Sequence, residues 1–461
     1  MSLILLLVLF LALGATLANG DWRSGLLISL AIGFAQDPIR KLTPGQPGLF
    51  VGLALIAIIA STFCLFTARR GTFELPLMFR SRPQLVALVS LFTLLIGAQA
   101  LNGLLQWGNP LRVGIGIGFY LAPVAGLWLG FQLGRDQPFL RRFLQCYLLL
   151  SACFALTVFL QYRGLDLPVF KEVGGGIRID IQPGLSVFGS SGLWRSSELA
   201  AWHLAASSCL AIGMAASVPL TQRWPYVSYS VAAALLTIIT GRRKAFVQII
   251  VFLGIYLWMS SRPGAPASRE RVAGVLLTLA GLAGFVVLIG PSTLLGDQFQ
   301  IYAQRTATAP GELGSRFTSL AISAFWRGIE ISDGIGLGVG TLAQTGAANV
   351  GQASGASFTF VSESGVGKIV AELGIPGLLL IPLLLVQFVQ AVWINLKCLR
   401  SSPSSTQALE TALVAFALSN VLFFSAAAGV YGDPLVLSLC GICLGSVFAA
   451  PLLQTRVTPA G

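Results

Sequence analysis

The sequence is poor in charged residues and in histidine, and both scarcities exclude whole classes of protein. Only 10% of its 461 residues are charged, against 55% hydrophobic residues and a mean hydropathy of +0.82. This composition lies far outside that of soluble domains. Because His203 is the single histidine, a histidine-rich zinc site cannot be assembled. If His203 has a packing role, no other imidazole is left for a catalytic triad.

Other absences exclude further classes of protein and of binding site. The chain has no P-loop, which excludes an ATP-driven pump with its own nucleotide-binding domain. The seven cysteines lie in or beside apolar runs and outside the long polar loops, so no disulfide is expected. Cys440 and Cys443 have CxxC spacing, but they lie inside an apolar run without a second pair of ligands, which favours packing. These patterns predict no metal site and no cofactor.

Long apolar runs dominate what is present. A membrane-spanning helix needs roughly 17 to 25 residues, and twelve or thirteen runs are candidates. They lie at 2–18, 24–36, 48–68, 84–106, 112–133, 142–161, 197–217, 225–241, 245–260, 272–290, 368–393, 408–428 and 432–454. The run 24–36 is short, so it is either a full span or a half-penetrating segment. The sequence therefore predicts an all-α polytopic membrane protein of about 12–13 transmembrane helices, forming one integral membrane domain over 1–461.

Basic residues orient these spans, because short loops rich in Lys and Arg tend to stay cytoplasmic. Four such loops share one side; they contain Arg69, Arg70, Arg80 and Arg82, then Arg135, Arg141 and Arg142, then Arg262, Arg269 and Arg271, and finally Lys397 and Arg400. The two long loops, 162–196 and 291–367, consequently face the outer side. The formal charge of +12 is scattered over membrane-flanking loops, which argues against nucleic acid as a partner.

A few cations fall on the outer side. Arg40 and Lys41 do so if every early run is a full span, and so does the turn Gly241-Arg242-Arg243-Lys244. Arg195 stands where the first long loop meets a span, and Arg316 opens an apolar segment of the second loop. Arginines gathered on one face suit a phosphate-bearing substrate, although each could instead reach lipid headgroups.

The end of the second long loop carries further candidates. Glu363 could act as a general base, or it could cap a helix that begins near Ser364, and both interpretations stay open. For Glu372 a structural role is favoured, and for His203 a packing role. The glycines of 334–340 are expected to let the backbone pass close to a ligand or a neighbouring helix.

In their order along the chain, several segments resemble the bacterial O-antigen ligase and polymerase superfamily, integral membrane glycosyltransferases that use polyprenyl-diphosphate-linked sugars. Thr240-Gly241-Arg242-Arg243-Lys244-Ala245 is similar to the family's Thr-x-Ser-Arg-Gly-Ala turn. Residues 363–379 resemble the stretch in which a His-Asn pair is followed, nine residues after the His, by Glu-x-Gly-x-x-Gly. Residues 192–200 and 316–340 resemble the family segments that precede these two.

The resemblance implies specific site residues. Arg195, Arg243 and Arg316, with Arg242 beside them, would bind the diphosphate, and Arg243, Arg316 and Glu363 would form the catalytic group. Glu363 stands where ligases have His, and Ser364 follows where they have Asn. This departure favours the polymerase or exopolysaccharide branch, with the loop 291–367 as a partly helical lid.

The expected function is polymerisation of undecaprenyl-diphosphate-linked oligosaccharide units on the periplasmic face of the bacterial inner membrane, without a metal ion. The expected partners are the lipid-linked glycan, membrane lipid and a chain-length regulator. Two alternatives stay open. One is ligase-type transfer of the glycan to a lipid or protein acceptor, and the other is a transporter or flippase of the same lipid-linked anion.

Overall fold

The apolar runs fold into a bundle of helices. A computed structural model of the chain describes residues 2–173, 178–182, 185–261, 272–277, 279–280, 284, 298–307, 318, 322–342, 364–426 and 428–454. The helices are α1 Ser2–Ala18, α2 Trp22–Leu42, α3 Leu53–Ala68, α4 Leu75–Met78, α5 Gln84–Trp107, α6 Pro110–Gly134, α7 Gln137–Tyr162, α8 Ser197–Ser217, α9 Trp224–Ile239, α10 Arg243–Ser260, α11 Gln298–Ala307, α12 Ser323–Ser332, α13 Gly365–Cys398, α14 Ser404–Ala426, α15 Pro434–Ser446 and α16 Ala450–Gln454. Two strands, β1 Arg178–Gln182 and β2 Leu185–Phe188, form an antiparallel hairpin in the first long loop.

These elements confirm an all-α polytopic membrane protein. Nine helices within the described residues are long and apolar enough to cross a membrane, and α1 and α9 contain shorter apolar segments. Twelve of the thirteen predicted runs coincide with helices. The remaining run, 272–290, lies mostly outside the described residues, although 272–277 are helical. The second long loop is partly helical as predicted, because it contains α11 and α12.

Contacts between helix ends define two ends of the bundle. We call the end that carries Arg195 the upper end and the end that carries Glu410 the lower end. At the upper end, Arg242 at the start of α10 donates to Ser197 Oγ at the start of α8, at 3.1 Å. At the lower end, Gln137 at the start of α7 donates to Glu410 Oε1, at 2.7 Å. Helices α8 and α10 therefore begin at the upper end, and α7 and α14 begin at the lower end.

The cationic loops gather at the lower end. Arg135 pairs with Glu74 in the loop before α5, at 2.8 Å, and the turn after α13 packs against α16. Three of the four predicted cytoplasmic loops therefore share one end, and the fourth, around Arg262, lies outside the described residues. This common placement agrees with the predicted order of spans.

Helix α2, which contains the ambiguous run 24–36, connects the two ends of the bundle, although it is not among the nine described helices that are long and apolar enough to cross a membrane. Arg23, at its start, pairs with Asp136 at the lower end, at 2.7 Å. Asp37 and Lys41, near its end, contact the segment 191–195 at the upper end. A helix of 21 residues is about 30 Å long, enough for a full crossing. Arg40 and Lys41 accordingly lie at the upper end.

Helix α8 lies at the centre of the bundle, and every residue in it except Glu198 is buried. His203 is among them: its ring stacks on Trp194 with centroids 5.6 Å apart, and Tyr147 Oη lies 3.0 Å from its Nδ1. These contacts confirm the packing role predicted for His203. The stacking also places Trp194, in the segment before α8, against the buried face of α8.

Helices α6 and α15 pack with their backbones unusually close. A Cβ atom added at Gly130 would lie 2.2 Å from Ile442 O, and one added at Gly445 would lie 2.0 Å from Leu127 O. Small residues at such interfaces let membrane helices approach closely. On α15, Cys443 is buried and Cys440 is partly buried, and both have free thiols, which agrees with the packing interpretation of the CxxC spacing.

Candidate functional site

Arg195 lies at the centre of a buried charged cluster at the upper end. Its Nη1 is 3.2 Å from Asp37 Oδ1 and 2.5 Å from Asp433 Oδ2. Its backbone N–H also donates to Asp37 Oδ2, at 3.2 Å. The side chains of Arg195, Asp37 and Asp433 are 10%, 4% and 1% exposed, respectively. We call Arg195, Asp37 and Asp433 the buried triad.

Local structure places each member of the buried triad. Ser196 caps α8 by accepting from Leu199 N–H, which holds Arg195 just outside the helix. Asp433 caps α15 through Oδ1, which accepts from Leu435 N–H at 2.8 Å, so Oδ2 is left for the guanidinium. Asp37 belongs to α2. The triad therefore joins three segments that are remote in sequence.

The electrostatics of the buried triad favour the charged form of Arg195. Burial disfavours the guanidinium charge, but Asp37 and Asp433 more than offset this and raise the pKa of Arg195 above its ordinary value. Two acidic side chains thus face a single guanidinium. Lys41, one turn after Asp37, contributes a further cation close by and donates to Gly192 O at 2.8 Å.

The turn between α9 and α10 forms a second cationic feature at the same end. Gly241 has φ +73°, a left-handed conformation that favours glycine, and Arg242 follows as the residue before α10. Arg243 and Lys244 begin the helix and are partly buried. The first turn of α10 contains no acidic residue, and no side chain caps it. We call Arg242, Arg243 and Lys244 the cationic turn.

The cationic turn lies beside the start of α8, because Arg242 Nε donates to Ser197 Oγ at 3.1 Å. The N–H of Ser197 in turn donates to Glu172 Oε1. The structure therefore brings Arg242 and Arg243 to the same end of the bundle as Arg195, as predicted. Arg195 is engaged by carboxylates, whereas Arg242 contacts a hydroxyl group.

Two of the predicted site residues, Arg316 and Glu363, lie outside the described residues. Next to Glu363, Ser364 is described: its Oγ accepts from Gly367 N–H at 3.2 Å and so caps α13. It also approaches Ser425 O at the end of α14, at 3.4 Å. The start of α13 therefore lies at the upper end.

Glu372 is buried in α13 and accepts three hydrogen bonds. Its donors are Tyr120 Oη at 2.7 Å, Lys368 Nζ at 3.1 Å and Leu342 N–H at 2.8 Å. Lys368 Nζ also lies 4.6 Å from the centroid of the Phe119 ring. A buried carboxylate with this set of donors ties α6, α13 and the end of segment 334–342 together. These contacts support the structural role predicted for Glu372.

The glycine-rich segment 334–342 runs between α5, α6 and α13. Gly336, Gly338 and Gly340 all have positive φ, and a Cβ at Gly340 would lie 2.2 Å from Arg112 O. Side chains of α5 hold the segment: Trp107 Nε1 donates to Leu337 O, at 3.0 Å. The prediction that these glycines allow close approach to a neighbouring helix is confirmed.

Asp37 and Asp433 were not singled out from the sequence. A signal was present, since each is a lone acid in or beside an apolar run, and ionisable residues there are costly and by default functional. Within the described residues no group of three or more His, Cys, Asp or Glu side chains could hold a metal ion. The upper end therefore offers arginines and lysines, with carboxylates that pair with them.

No protein-family model matches this chain, and no curated protein matches it. Function must consequently be inferred from the chemistry of the upper end and from the motifs in the sequence.

Proposed function

We propose that the protein is a membrane glycosyltransferase that polymerises undecaprenyl-diphosphate-linked oligosaccharide units, in the manner of O-antigen or exopolysaccharide polymerases. The observation that carries this proposal is the cationic turn at the start of α10. Its first turn lacks any acidic residue and any side-chain cap, while Arg242, Arg243 and Lys244 stand there in succession.

A helix N-terminus carries roughly half a positive elementary charge. Cations at this position are electrostatically unfavourable, whereas an anion is stabilised by both the backbone N–H groups and the side chains. A diphosphate has the charge and the several acceptor oxygens that such a site would bind. The arginines suit it particularly, because a planar guanidinium can bind phosphate in a bidentate manner.

In the proposed reaction, an acceptor sugar hydroxyl attacks the anomeric carbon of the donor glycan. The bond from that carbon to the diphosphate oxygen breaks, and the polyprenyl diphosphate leaves with the electron pair. Arg243 and Arg316 stabilise the charge that develops on the leaving group, a term that is often the largest in catalysis. Glu363 accepts the proton of the hydroxyl or orients it.

Arg242 would support Arg243 in binding the diphosphate. The Nη1 atom of Arg195 already contacts Asp37 and Asp433. A direct contact between Arg195 and the diphosphate is not tested by these contacts and stays a prediction. In this proposal the upper end faces the periplasm, so the loop 291–367 and the cationic turn share the side on which the lipid-linked glycan is used.

The test is reconstitution of the purified protein in lipid vesicles with a synthetic polyprenyl-diphosphate oligosaccharide and no other protein. Gel analysis of the products should show a ladder of chain lengths for the wild type. The ladder should be lost in Arg243→Ala and in Arg316→Ala. Arg80→Ala, which removes an exposed cation from a lower-end loop, is the matched control and should retain it.

Two other outcomes would favour the alternatives. Transfer of one intact glycan to a lipid or protein acceptor, without a ladder, would indicate ligase activity. Movement of the lipid-linked oligosaccharide across the vesicle membrane without elongation would indicate a transporter or flippase, and it would overturn the proposal.

A further inference from the structure

Gln248 is a buried amide to which the described residues offer no hydrogen-bond partner, and it lies close to the cationic turn. It is 1% exposed and sits on α10, four residues after Lys244. Neither its Oε1 nor its Nε2 has a hydrogen-bond partner in the structure as far as it is described. An unpaired buried polar group costs about 1–3 kcal/mol, so a fully buried amide with both ends unpaired among the described residues suggests a partner beyond those residues.

The geometry of an α-helix directs Gln248 towards the cationic turn. Side chains on a helix lean towards its N-terminus, and long side chains cover the preceding turn. We therefore expect the amide of Gln248 to extend from its own Cα towards the level of Lys244 and Ala245. Gln248 shares the buried face of α10 with Ala245 and Phe252, and α10 packs against α8 and α14. Gln248 therefore belongs to the face of α10 that packs against the bundle.

The chemistry of an amide restricts the ligand. Oε1 only accepts hydrogen bonds and Nε2 only donates them, so a partner that satisfies both must itself donate and accept. The oxygens of an ionised diphosphate only accept. A sugar hydroxyl does both, and in a polyprenyl-diphosphate-linked glycan the first sugar is bonded directly to the diphosphate.

We propose that Gln248 binds the hydroxyl groups of the sugar attached to the diphosphate, while the cationic turn binds the diphosphate itself. This inference rests on the proposed function and deepens it. It divides the upper end into two subsites: the cationic turn recognises the anion and Gln248 recognises the first sugar. Gln248 thereby contributes to selection of the glycan.

The test compares two ligands on the purified protein in lipid nanodiscs. One is polyprenyl diphosphate without a sugar, and the other is the same lipid carrying an oligosaccharide. Gln248→Met, which keeps the side-chain length but removes both polar atoms, should weaken binding of the glycan-bearing lipid about tenfold. It should leave binding of the bare lipid unchanged. Arg243→Ala should weaken binding of both lipids.

Asn395→Leu is the matched control. Asn395 is likewise fully buried with both amide atoms unpaired among the described residues, but it lies at the lower end of α13. Its replacement should leave binding of both lipids unchanged. Gln248→Leu provides a second apolar variant if Gln248→Met does not fold.

Each other outcome overturns the inference. If Gln248→Met binds both lipids as the wild type does, the amide holds only buried water or none. If it weakens both lipids equally, Gln248 acts on the diphosphate or on the fold. If the wild type binds neither lipid, the proposed function fails as well. If the wild type binds both lipids but Gln248→Met does not selectively weaken binding of the glycan-bearing lipid, only this inference fails.

Discussion

The guanidinium Nη1 of Arg195 lies 2.5 Å from Asp433 Oδ2, although 238 residues separate the two along the chain. Asp37 lies on the same nitrogen at 3.2 Å. The pairs join the starts of α8 and α15 to the end of α2 in a buried site. An arginine that the sequence motifs associate with substrate binding therefore also holds three helices together at the upper end.

The first prediction concerns the energetics of this buried triad. Arg195→Ala would leave two buried carboxylates without their guanidinium, which should lower the free energy of unfolding by about 3–5 kcal/mol. Adding Asp433→Asn removes one of these charges while an asparagine can still cap α15. The double variant should therefore be more stable than Arg195→Ala alone. Detergent-driven unfolding of the purified protein measures both, and purely additive losses would contradict the pairing.

The second prediction concerns Glu372 and Lys368. Glu372→Gln should lower the free energy of unfolding by about 1.5–3 kcal/mol, because a buried ammonium group loses its charged acceptor. Lys368→Met should cost more, about 3–5 kcal/mol, because it leaves the buried carboxylate of Glu372 without a cation. In Glu372→Gln the ammonium group of Lys368 still donates to Leu342 O, at 3.2 Å. The same unfolding assay ranks the two variants, and a greater loss for Glu372→Gln would show that the hydrogen bonds of the carboxylate, and not its charge, dominate the cluster.

The third prediction concerns the segment 334–342. Gly340→Ala places a methyl group 2.2 Å from Arg112 O at a residue with φ +89°, which should cost at least about 1–3 kcal/mol. Gly14→Ala is the control, because nothing lies within 4 Å of a Cβ at that position and alanine favours a helix. Thermal unfolding in detergent compares the variants. Equal melting temperatures would argue against the close approach of this segment to α6.

The fourth prediction concerns orientation of the bundle. In a variant without the native cysteines, Asp166→Cys at the upper end should react with a membrane-impermeant thiol reagent. The cells used have their outer membrane removed and their inner membrane intact. Thr72→Cys, exposed in a lower-end loop, should react only after the membrane is opened. The reverse pattern would place the upper end in the cytoplasm and remove the basis for a periplasmic reaction.

Much of the fold was predictable because its signals are local. A span such as 84–106 is visible from its own apolar residues, and it becomes α5 with nearly the same bounds, Gln84–Trp107. The cationic turn could likewise be found from three consecutive residues, Arg242, Arg243 and Lys244. Helix α2 was harder, because Asp37, Arg40 and Lys41 make its second half polar. Only their contacts with the segment 191–195 show that α2 connects the two ends.

By itself, the sequence determined the class of protein, the positions of the helices and the cluster of cations at the start of α10, since hydropathy and charge belong to each segment separately. Tertiary structure decided which polar groups find partners. Asp433 pairs with Arg195 across 238 residues, and Gln248 on α10 has no partner among the described residues. Burial makes both outcomes energetically important, and no pattern along the chain specifies which atoms meet when helices pack.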